Sequence, residues 1–238
     1  MDAIRREWRA QWRNLLPQLM MVVAGFVLGR LIALVIELVS HEKEWVPLGA
    51  LLAAFGLLAI FFTVAMQFVM GLNHAILMSR TRIGFMIGNY LMGMLVLLLG
   101  LLLMIALGWM EYVTASTADA QLLGIFRKIA AVLLHPLFLI GFPVCGVIFA
   151  DFIGALLARY GKRAGWTLWA IWMLGSLVLP RMAEASSGKD TLLTRAGQAL
   201  GKLLSQLTPT ALVITGVLCT VAALAGTVAM TRKKQAEA

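Results

Sequence analysis

Three ionisable residues stand inside apolar stretches of this sequence. Arg30 and Glu37 lie seven positions apart within residues 16–39, hence on one face of a helix. Asp151 lies within residues 129–157. Charges at membrane depth are costly, face the bundle interior or water, and pair where they can. Two roles fit them: a polar lining for a transport path, or a structural pair that locks helix packing. Arg30 with Asp151 is one candidate pair, provided the first and fourth apolar runs touch. His135 precedes Pro136, where the backbone is loosened. A metal or proton-relay role is one reading of it, and a satisfied core histidine the other. His74 lies near the end of an apolar run and His41 in a loop. Catalysis has no frame to work in. The sequence contains no HExxH, no GxSxG, no paired carboxylates at helical spacing inside an apolar run, and no His at ligand spacing from a Cys or an acid. Gly188-Lys189-Asp190 and Gly201-Lys202-Leu203 lack the GxxxxGK[ST] frame of a phosphate-binding loop. The chain is therefore read as no enzyme, binding no cofactor or metal of its own; if ATP drives it, another chain binds the ATP. Cys145 and Cys219 are the only cysteines, and neither has a CxxC neighbour, so no disulfide framework is expected.

The elements that would position these residues are helices in a bilayer. The chain has 238 residues, 61% hydrophobic and 13% charged, with a mean hydropathy of +0.92. A soluble domain of this size could not cover so much apolar surface, which makes the class an all-α polytopic membrane protein. Six runs are long enough to span: 16–39, 47–71, 84–110, 129–157, 165–182 and 209–230. The fifth is the shortest. The fourth contains Pro136 and Pro143, so a kink or break is expected there. Residues 1–14 read as an interfacial helix. Ile4, Trp8 and Trp12 form an apolar stripe, and Arg5, Arg6, Arg9 and Arg13 occupy the rest of the surface, as suits a helix lying at headgroup depth. Residues 15–230 form the six-helix transmembrane domain, whose first helix is read as an uncleaved anchor, and 231–238 a cytoplasmic tail.

Lys and Arg placement sets the orientation. With the N-terminus inside, the inner segments hold Arg5, Arg6, Arg9, Arg13, Arg80, Arg82 and the basic groups at 159–163 and 232–234. The outer segments hold fewer: Lys43, Arg127, Lys128, Arg181, Lys189, Arg195 and Lys202. Glu42, Glu44, Glu111, Asp119, Glu184 and Asp190 also fall outside. The bias puts both termini in the cytoplasm of a cell-membrane protein. The formal charge of +9 is then a matter of topology and contact with anionic lipid, and nucleic acid is not expected as a partner. In the last outer loop, residues 192–207 alternate Leu/Ala and polar residues at helical spacing, which predicts an amphipathic outer segment between spans five and six. Gly25/Gly29 and Gly84/Gly88 are GxxxG pairs that let helix backbones approach closely.

Residues 70–87, MGLNHAILMSRTRIGFMI, form a short polar hinge between two long apolar runs. The hinge carries Asn73, His74, Ser79, Arg80, Thr81 and Arg82 and no acid. A cationic break of this kind reads as a cytoplasmic loop. Together with the basic helix before the first span and the amphipathic outer segment, it resembles the membrane subunit of an ABC-2-type exporter. MGLNHAILMSRTRIGF and RYGKRAGWTLWAIW are similar to turns in small bacterial permeases of that group. The resemblance implies that Asn73–Arg82 docks on a separate cytoplasmic ATPase subunit that binds ATP, and that Ile4–Arg13 is an elbow helix. It implies a working unit that pairs this chain, as a homodimer or heterodimer with a second permease, with ATPase chains. One departure from the pattern is that the loop around Arg80 is very short and offers no acid to pair with an ATPase groove. The alternative class is a non-transporting immunity or regulatory subunit that packs against a partner membrane protein, to which the small-residue stripes are equally suited.

Overall fold

The computed structural model describes residues 2–40, 47–77, 82–114, 120–184 and 209–233. The elements are α1 (Asp2–Ser40), α2 (Leu48–Leu77), α3 (Arg82–Val113), α4 (Ala120–Leu133), α5 (Pro136–Tyr160), α6 (Lys162–Glu184) and α7 (Pro209–Lys233). Five of them, α1, α2, α3, α5 and α7, contain stretches long and apolar enough to cross a membrane. The expected fifth span is a helix, α6, but is not among these five. Lys162 and Arg163 at its start and Arg181 and Glu184 at its end leave it an uncharged stretch, residues 164–180, near the short end of what a crossing needs. The amphipathic segment expected at 192–207 lies outside the described residues.

Two boundaries differ from expectation. The N-terminal basic turns are not a separate helix: α1 runs unbroken for 39 residues with Pro17 inside it. Its length, about 58 Å by helical rise, far exceeds a hydrocarbon core of about 30 Å. The expected fourth span is two helices. α4, with 14 residues, is too short to cross, and the chain breaks at Leu134–His135 before α5 begins. Pro136 causes the break, having no N–H to donate, and it then serves as the first residue of α5. Pro143 stays inside α5.

The chain divides into two compact units, Met1–Gly154 and Ala155–Ala238. In the first, α1, α2 and α3 pack around Val22, Phe26, Ala53, Leu57, Ile60 and Leu97, with Val147 and Ala150 of α5 in the same core. Much of the outward surface is apolar too: Leu31, Val35, Leu58 and Met66 are all exposed. In lipid this is no anomaly, because helices associate there by close packing and not by hiding apolar area from water. Glycine supplies the closeness. A Cβ on Gly25 would collide with the Leu52 carbonyl, and one on Gly29 with the Leu48 carbonyl. From the other side, a Cβ on Gly56 would lie 2.6 Å from the Met21 carbonyl oxygen. The Gly25/Gly29 pair is thus a backbone-to-backbone seam between α1 and α2. Gln18 and Thr63 add a polar contact across it at 3.4 Å.

In the second unit, α5 ends at Gly161, which has φ +57°, and the Gly161 N–H returns to the Leu157 carbonyl at 2.9 Å. This left-handed position favours glycine. Gly161→Val is expected to cost about 1–2 kcal/mol, seen as a lowered unfolding midpoint, while Gly161→Asn costs less. On α6, Trp166, Trp169 and Trp172 are exposed, with the first two edge to face. Such rings suit a membrane–water boundary. In α7, the Thr220 hydroxyl donates to the Gly216 carbonyl and the Thr227 hydroxyl to that of Ala223, which lets these polar groups sit in an apolar helix.

Candidate functional site

Besides the Gln18–Thr63 contact, two polar sites interrupt the apolar interior among the described residues of the first unit, toward opposite ends of α3. The first is built on Glu111. Sequence reasoning put this residue in an outer loop; it lies instead in the last turn of α3 and is fully buried. Its carboxylate meets the start of α2, where the first-turn N–H groups have no partner within their own helix. Ala50 N–H donates to Oε2 at 2.6 Å and Gly49 N–H to Oε1 at 3.2 Å. Arg30 of α1 completes the site, its Nη1 lying 3.2 Å from Oε1. One acid therefore joins three helices, and the positive end of the α2 dipole adds to its stabilisation. Gly49 is needed for this approach. A Cβ there would stand 2.9 Å from Glu111 Oε2 and 2.9 Å from the Phe26 ring.

The second site is Asn89 of α3 with Asp151 of α5. Both are buried, and Asn89 Nδ2 donates to Asp151 Oδ1 at 2.8 Å. Tyr90 lies in the electrostatic field of both Asp151 and Cys145.

The expected Arg30–Asp151 pair is therefore not formed. Arg30 goes to Glu111, which is about 33 Å along α3 from Asn89 by helical rise. Arg30 and Glu37 do not meet either; Glu37 is exposed near the end of α1, and Arg30–Glu111 is the one ion pair among the described residues. His135 is exposed rather than in the core. It caps α5: its carbonyl accepts from Phe138 and Leu139 N–H, and its Nδ1 accepts a weak bond from Leu137 N–H at 3.4 Å. Among the described residues no three His, Cys, Asp or Glu side chains gather as a metal site.

Of the hinge residues, Asn73 and His74 belong to the last turns of α2, and Arg82 opens α3. Ser79, Arg80 and Thr81 lie outside the described residues. Ile4, Arg5, Trp8 and Arg9 belong to the first turns of α1, followed by exposed Trp12 and Arg13. Nearer Glu111, α4 folds back along α3. Phe126 stacks on Tyr112 with centroids 5.4 Å apart, and Arg127 Nε donates to the Tyr112 hydroxyl at 2.9 Å. An apolar cavity of about 250 Å³ lies between α2, α3 and α4, walled by Leu51, Ala54, Ile105, Trp109 and Leu134.

No family model matches the chain, and neither does any curated protein or solved structure.

Proposed function

We propose that this multi-pass membrane protein is the permease subunit of an ABC-2-type exporter, coupled to a separate cytoplasmic ATPase. The observation that supports this reading is the α2–α3 hairpin. α2 ends at Leu77 and α3 begins at Arg82, so only four residues of sequence separate two long helices, and Arg80 and Arg82 fall in or next to that interval. A short basic link between two long helices would give a soluble partner a place to grip and push. Two closely packed helices behind it would carry the push into the membrane. In this reading α6 serves as a sixth crossing, its Trp and basic ends lying in the interfaces. Both termini then face the cytoplasm, and α4 lies in the outer interface. ATP is bound and hydrolysed on the partner, and a second permease chain, identical or related, completes the transport unit.

The test is purification from native membranes. An ABC ATPase is expected to come with the wild-type chain. Arg80→Glu with Arg82→Glu is expected to lower its recovery at least tenfold, while the variant chain still elutes as a single species. A double variant that retains both the ATPase and its stimulation ends the docking assignment.

A second reading has its own support. The α1–α3 core is closely packed and apolar, with backbone-to-backbone seams at Gly25, Gly29 and Gly56. Such a block fits a non-transporting immunity or regulatory subunit that packs against a partner's helices. Recovery of an integral membrane partner, without an ATPase, would favour this reading.

A further inference from the structure

Asp151 is the membrane-embedded acid that neither reading uses. It is 6% exposed, and it accepts a hydrogen bond from a neutral amide, that of Asn89. No cation among the described residues reaches it. Arg30 is held by Glu111 at the far end of α3. Tyr90 on α3 is a titratable neighbour, itself close to Cys145 of α5, and neither of these side chains can be positively charged. α2 meets α5 through Ala65 and Phe68 at Gly154, one turn from Asp151, and has no ionisable residue between Leu48 and Leu72. A carboxylate left charged in such surroundings is expensive, whereas the neutral acid costs much less. The hydrogen bond also orients the group. With Oδ1 accepting from Asn89, Oδ2 remains to carry a proton.

We propose that Asp151, oriented by Asn89, is a proton-binding site inside the membrane domain. The proton comes from the end of the bundle at which α3 begins, since Asn89 is only about 8 Å along α3 from Gly84, where the apolar stretch begins. On release, the Oδ2–H bond breaks, its electron pair stays on the carboxylate, and the proton passes to water. This inference is independent of the exporter reading. The site is tested on the chain alone, so its failure and the loss of an ATPase partner are separate results.

The test uses the full chain in lipid nanodiscs and dicyclohexylcarbodiimide, an apolar reagent that couples to protonated carboxyl groups. Peptide mass spectrometry is expected to find the adduct on Asp151 at mildly acidic pH, falling away at alkaline pH, and absent from Asp151→Asn. Asn89→Ala is expected to move the pH at which the adduct is lost, because the amide no longer reaches Oδ1. Infrared spectra of the wild-type chain provide a second reading that needs no variant: a protonated-carboxyl C=O band that disappears over the same pH range. Absence of both adduct and band at every pH overturns the proposal. So does protection of Asp151 by sodium at constant pH, which would make the site one for a metal cation.

Discussion

Glu111→Ala is expected to lower the unfolding midpoint of the purified chain by on the order of 10 °C, corresponding to about 3 kcal/mol. The substitution removes the acceptor from three donors at once: Gly49 N–H, Ala50 N–H and the Arg30 guanidinium. Two of these are backbone groups at the start of a membrane helix, where water is scarce and an unmet donor is costly. Glu111→Gln keeps an acceptor oxygen but loses the charge, and is expected to fall between Ala and wild type. Arg30→Gln should cost least, because the Arg30 side chain is 44% exposed and can turn to solvent or headgroups, whereas that of Glu111 is 0% exposed. A thermal melt followed by size-exclusion fluorescence ranks the three. An order with Arg30→Gln at the bottom would mean that the ion pair, and not the α2 cap, holds this end together.

Gly29→Leu is the second large expected loss. At Gly29 and Gly25 a side chain would meet main-chain carbonyls of α2, which cannot swing aside as a neighbouring side chain can. Overpacking of this kind typically costs about 1–3 kcal/mol and sometimes more. Here it would also pry the Gln18–Thr63 contact apart. The expected result is a sharp fall in the yield of monodisperse protein, larger for Gly29→Leu than for Gly25→Ala. Gly141→Ala on α5 is the control. Nothing lies within 4 Å of a Cβ at that position, so the midpoint should hold or rise slightly, as helix propensity favours Ala. Equal damage from Gly141→Ala would show that the seam is not what these glycines have in common.

The sequence is informative where a single run decides the outcome. The lengths of the apolar runs predict α1, α2, α3 and α7, and Pro136 predicts the interruption that separates α4 from α5. The Gly25/Gly29 spacing predicts a close helix approach, though not that α2 is what approaches. Pairings were harder to read because they depend on which helices are neighbours. Asn89 and Asp151 are 62 positions apart, and no periodicity links them. Arg30 looked available to Asp151 until α3 brought Glu111 to the start of α2. Glu111 itself sits where an apolar run meets a polar segment, and composition alone does not say on which side of that border a residue folds. The buried acid with unmet amides close by is visible only once the helix ends are placed. His135 gave a misleading signal, because a histidine before a proline inside an apolar run resembles a core residue, whereas the backbone uses it to start a new helix.

The unbroken course of α1 has a mechanical consequence. Its basic first turns and its seam with α2 belong to one rod, and the rod's weak joint is Pro17, where the missing N–H deprives the Arg13 carbonyl of its helical bond. Whatever anchors the arginine-rich end at the bilayer surface therefore also fixes the tilt of the glycine seam. A change in surface charge or lipid headgroup would reach the interior as a lever's rotation, part of which a bend at Pro17 would absorb.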